Sequence, residues 1–107
     1  MRKEMLKLAS LAMLTALGGL AHADAGADAR TARYLAANCA NCHGTEGTSQ
    51  GATPSLAGRP KAYIVDQMKA FRDGKRPATV MHQLSKGYTD QQVELIADYF
   101  SRQTPAR

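Results

Sequence analysis

Five consecutive residues constrain this chain more than any other stretch: Cys39-Ala-Asn-Cys42-His43. They hold the only two cysteines among 107 residues. A C-x-x-C-H string reads as an attachment site for a c-type haem. Two thiols three positions apart can each add across one vinyl group of the same porphyrin, and the histidine that follows then reaches the iron. Three rivals explain less. A structural zinc site needs about four Cys or His ligands; the pentapeptide supplies three, and His82 is the one histidine downstream of it. A thioredoxin-like redox pair expects alternating strands and helices around C-x-x-C, and none is visible. A structural disulfide leaves His43 without a purpose.

The N-terminus supports an exported protein. Arg2, Lys3 and Lys7 form a positive start with Glu4 the only acid, Leu8 to Leu20 is apolar and rich in small residues, and Ala21-His22-Ala23 is an A-x-A cleavage site. A retained anchor is the alternative, but the apolar run is shorter than the roughly 20 residues a span needs. The expectation is a signal peptide over residues 1–23, removed after Ala23, and export across the bacterial inner membrane to the periplasm. His22 leaves with it, and no other segment reads as a membrane span. Residues 24–107 then form one domain of about 84 residues. Domains this small usually need a staple. No cysteine pair is spare for one, whereas a covalent haem would add a large apolar surface to a core that has no Trp. Losing the signal takes away three bases and one acid, so the net charge falls from +5 to about +3. That is mildly basic and not a nucleic-acid footprint.

Periodicity predicts helices and no convincing strand. Ala32, Leu35, Ala36 and Cys39 give an apolar stripe on a helix over roughly Asp28 to Asn38. Gly44 to Gly58 reads as a loop punctuated by glycines and Pro54, with Leu56 its one large apolar residue. Pro60 opens a helix over Lys61 to Arg72, with Tyr63, Ile64, Met68 and Phe71 as its stripe. Lys75 to Thr79 is extended or turning, because Pro77 restricts Arg76. Val80 to Lys86 suits a short helical turn closed by Gly87. Thr89 and Gln92 form a capping box for a last helix to Arg102, with Val93, Ile96, Ala97 and Phe100 inward.

His43 would fill one axial position of the iron, and the residue opposite decides the chemistry. Met68 lies in a helical stripe and reads as core. Met81 lies in the irregular segment between the two later helices and is the expected ligand, since methionine opposite histidine suits electron transfer. His82, next door, is its competitor and otherwise a surface or supporting residue. An open sixth position would imply a haem enzyme or gas sensor.

With these pieces in order, the chain resembles class I c-type cytochromes over about Arg30 to Gln103. The resemblance rests on Cys39 to Gly44, Pro54-Ser-Leu56-Ala-Gly58, Tyr63 to Phe71, Gly74, Met81 and Ile96-Ala-Asp-Tyr99-Phe100. It implies an all-α, small cytochrome c fold with about four helices around one covalent haem c. It also implies that the Pro54 carbonyl accepts the Nδ1–H of His43, that Leu56 packs on the porphyrin, and that Arg59 and Tyr63 are candidates for holding the propionates. The run Gly74 to Asp90 looks like the cytochrome subunit of flavocytochrome c sulfide dehydrogenases, whose partner is a flavoprotein.

The expected function is therefore single-electron transfer in the periplasm, not catalysis of its own. The iron would sit between His43 and Met81 and be anchored by Cys39 and Cys42. The partner would be a sulfide-oxidising flavoprotein or, for a free carrier, a terminal oxidase or other respiratory protein. Arg59 to Arg76 holds six bases and two acids. It reads most simply as a solvated helix face, and otherwise as a docking face for an acidic partner.

Overall fold

The computed structural model describes residues 25–107, so the expected signal peptide and its cleavage after Ala23 lie outside the described residues. All regular structure among the described residues is helical. Helix α1 covers residues 25–43. Ala32 and Ala36 are buried and Leu35 and Cys39 half-buried along it, the stripe expected from spacing. The expected end at Asn38 is five residues short, because Ala40 and Asn41 do not break a helix and the first breaker is Gly44. Asp28 lies three residues after the first described residue of α1. The Gly44 N–H still bonds the Ala40 carbonyl at 3.0 Å, and its φ of 87° then turns the chain away. A Cβ there would lie 1.9 Å from the Thr48 carbonyl oxygen, so only glycine fits.

The following loop contains one 3-10 turn, Thr45–Gly47. The Gly47 carbonyl accepts from the N–H groups of Leu56 (2.8 Å) and Ala57 (3.1 Å), which folds the loop back on itself. Gly58 N–H then donates to the Phe100 carbonyl at 2.9 Å and ties the loop to the last helix.

Helix α2 is Lys61–Arg72, as expected, but Pro60 precedes it as the N-cap and is not its first residue. The Pro60 carbonyl accepts from Ile64 N–H at 3.2 Å, and at the N-cap its missing donor has no intrahelical acceptor to lose. The buried face is Ile64, Val65 and Met68; Tyr63 and Phe71 lie at its edges. Helix α3, Met81–Leu84, runs into a 3-10 turn, Ser85–Gly87, where one helical turn was expected. Helix α4 is Asp90–Ser101. Both bonds of its capping box form: Gln92 N–H to Thr89 Oγ1 at 3.1 Å and Thr89 N–H to Gln92 Oε1 at 2.9 Å.

The core joins Ala36 of α1, Ile64, Val65 and Met68 of α2, and Val93, Ile96, Ala97 and Phe100 of α4. Ala97 and Phe100 are 0 % exposed, and Ala36 is buried in the same cluster. Lys61–Glu94 (3.1 Å) and Arg72–Asp90 (2.8 Å) link α2 to α4 at the surface. Each such exposed pair contributes about 0–1 kcal/mol, so packing and not charge sets the arrangement.

Candidate functional site

Because α1 continues through the pentapeptide, Cys39, Cys42 and His43 occupy positions i, i+3 and i+4 of one helix. Residues at that spacing share a face. Cys39 is half-buried against the core and Cys42 is exposed, and no bond joins the two sulfurs. Burial pushes the Cys39 thiol up, and a backbone hydrogen bond opposes this more weakly.

His43 Nδ1 lies 2.6 Å from the Pro54 carbonyl oxygen. A carbonyl oxygen only accepts, so Nδ1 carries the proton and donates. In the neutral imidazole Nε2 then carries the lone pair that can bind a metal, and the bond fixes the ring's orientation. The folded-back loop that ends at Gly58 delivers Pro54 to this position.

Cys39, Leu56 and Met81 are all partly buried residues that pack on the margin of one core cluster. Leu35, Tyr88 and Tyr99 share that margin. Tyr88 received no role from the sequence, where it lies outside any helical stripe. Arg59 and Tyr63 come together at the start of α2, the guanidinium 4.9 Å from the ring centroid. His82 is half-buried; its Nδ1 is buried with no partner among the described residues, and its carbonyl accepts from Ser85 Oγ at 3.3 Å. It does not complete a zinc set with the pentapeptide: among the described residues no three of His, Cys, Asp and Glu are grouped to hold a metal ion. The geometry fits a haem instead, with two thiols and a free imidazole nitrogen on one helix face beside an apolar margin.

The family model for cytochrome c matches residues 29–103. The chain belongs to the cytochrome c family. Its cofactor is accordingly haem c, attached covalently and carrying iron. It is 44 % identical over 66 residues to the cytochrome subunit of sulfide dehydrogenase from Chlorobaculum tepidum, covering 62 % of this chain and 60 % of that one. It is 41 % identical over 97 residues to cytochrome c4 from Pseudomonas aeruginosa, covering 90 % of this chain and 47 % of that one. A solved cytochrome c4 from Acidithiobacillus ferrooxidans superposes with a TM-score of 0.57 at 40 % identity, over 59 % of this chain and 37 % of that one. The chain thus spans about half the length of these curated relatives. The helical fold is that of the c-type cytochromes.

Proposed function

We propose that this chain is a periplasmic single-haem electron carrier with His43 and Met81 as axial ligands, working as the electron acceptor of a sulfur-oxidising dehydrogenase. The observation that carries the reading is the His43–Pro54 hydrogen bond of 2.6 Å, which leaves Nε2 for iron. The bound haem supplies one-electron chemistry between ferrous and ferric iron. Cys39 and Cys42 would hold the porphyrin covalently, His43, oriented by Pro54, would bind the iron, and Leu56 would shield the ring from water. Met81 would supply a thioether ligand, a pairing with histidine that raises the potential. Arg59 and Tyr63 would hold the propionates.

The names of two relatives support the sulfur chemistry: a cytochrome subunit of sulfide dehydrogenase and, at 40 % identity over 73 residues, a thiosulfate dehydrogenase electron acceptor from Thiomonas intermedia. The match to cytochrome c4 over 90 % of this chain favours a second reading, a free carrier to a respiratory partner. Co-purification separates them: a stable flavoprotein complex supports the subunit, and a lone monomer the carrier. Carbon monoxide tests the ligand set. The native ferrous protein should not bind it readily, and Met81→Ala should; ready binding by the unaltered protein would refute the closed iron site.

A further inference from the structure

Helix α2 ends in a reversal at Asp73-Gly74, after which the chain runs back along the helix it has just left. Lys75 N–H and Arg76 N–H both donate to the Ala70 carbonyl, at 2.9 and 3.2 Å. The half-buried Arg76 side chain adds two contacts to the same helix: its guanidinium lies 4.7 Å from the Phe71 ring centroid, and its Nη1 donates to Gln67 Oε1. Gln67, Ala70 and Phe71 therefore bind one residue from three points on α2. Among the described residues no backbone–backbone hydrogen bond involves Pro77, Ala78 or Thr79. The next is at the Val80 carbonyl, which accepts from Gln83 and Leu84 N–H at 3.0 Å each and starts α3 with Met81. Arg76 is thus, among the described residues, the last one hydrogen-bonded to α2 before Met81, and Pro77 stiffens the first step of the path between them.

We infer that Arg76 is a positioning residue for the sixth iron ligand: its contacts with Gln67 and Phe71 hold the 75–80 segment so that Met81 stays on the iron. This rests on the Met81 reading above. An arginine suits the task because its planar fork stacks on an aromatic face while an edge N–H bonds an amide, which a lysine cannot do together. An external ligand reaches the iron only in the fraction of molecules whose methionine has swung away, so its apparent affinity reports that fraction.

The test uses the holoprotein and reads two signals on samples with native far-ultraviolet circular dichroism. These are the weak far-red sulfur-to-iron band of the ferric form and the affinity for cyanide. Arg76→Ala should weaken the band and tighten cyanide binding by about tenfold, with Arg76→Lys intermediate. Gln67→Leu should shift both in the same direction by less, and the double variant should fall short of the sum, since the two residues share one contact. Full band intensity and unaltered cyanide affinity in folded Arg76→Ala would overturn the proposal. If that variant does not fold, the same null result in Gln67→Leu overturns it. Met81→Ala separates the two levels: a band that survives there sinks the Met81 assignment, and the role of Arg76 with it.

Discussion

At the scale of single residues, the site depends on side chains and backbone groups in different ways. Pro54 contributes a carbonyl, which any residue carries, so Pro54→Ala should keep the His43 bond and cost only about 0.4–1 kcal/mol through a looser unfolded chain. Denaturant unfolding and an unchanged visible spectrum would check this. Gly44 contributes the absence of a side chain. Gly44→Ala combines a φ of 87° with a Cβ 1.9 Å from a carbonyl oxygen, and should destabilise by more than about 2 kcal/mol or prevent haem retention. The pentapeptide was legible in the sequence because its order is dictated by covalent chemistry. Pro54 came only from resemblance, since nothing in composition says which of many carbonyls meets a histidine eleven residues away. Arg76 was read as a residue restricted by Pro77 and as the end of a basic stretch, because its partners Gln67 and Phe71 declare themselves only after the chain reverses.

At the scale of elements, local chemistry marks some ends well. Thr89 and Gln92 announce α4, and both reciprocal bonds form. Thr89→Ala should cost about 1 kcal/mol in thermal or denaturant unfolding and leave the spectrum unaltered. The inward positions Val93, Ile96, Ala97 and Phe100 were likewise legible, and Phe100→Ala should cost about 3–5 kcal/mol because a fully buried ring leaves a cavity. The end of α1 was not placed correctly. Asn38 looks like a stop, yet the helix continues to the first residue that favours a left-handed conformation. That extension carries the chemistry, because it sets both cysteines and His43 on one helical face. In α2, Val65 was missed and Tyr63 overvalued, since an aromatic at the edge of a stripe mimics a core residue in any periodic count.

At the scale of the molecule, charge bears on the partner. Two of the six bases from Arg59 to Arg76 already pair with α4: Lys61 with Glu94 and Arg72 with Asp90. Replacing Arg72 would thus mix docking with helix packing, and Lys69→Gln with Lys75→Gln is the cleaner probe. If this face meets an acidic partner, that pair should lower the bimolecular electron-transfer rate at low ionic strength, flatten its salt dependence and leave stability unaltered. An unchanged rate and salt slope would return the face to plain solvation. No described helix is long and apolar enough to cross a membrane. The ligand set remains the centre of the whole account, and the visible spectrum of the ferric holoprotein tests it most directly. The expected result is a weak far-red sulfur-to-iron band that disappears in Met81→Ala while the haem stays covalently attached. A ferric protein without that band, or a band indifferent to Met81, would contradict it.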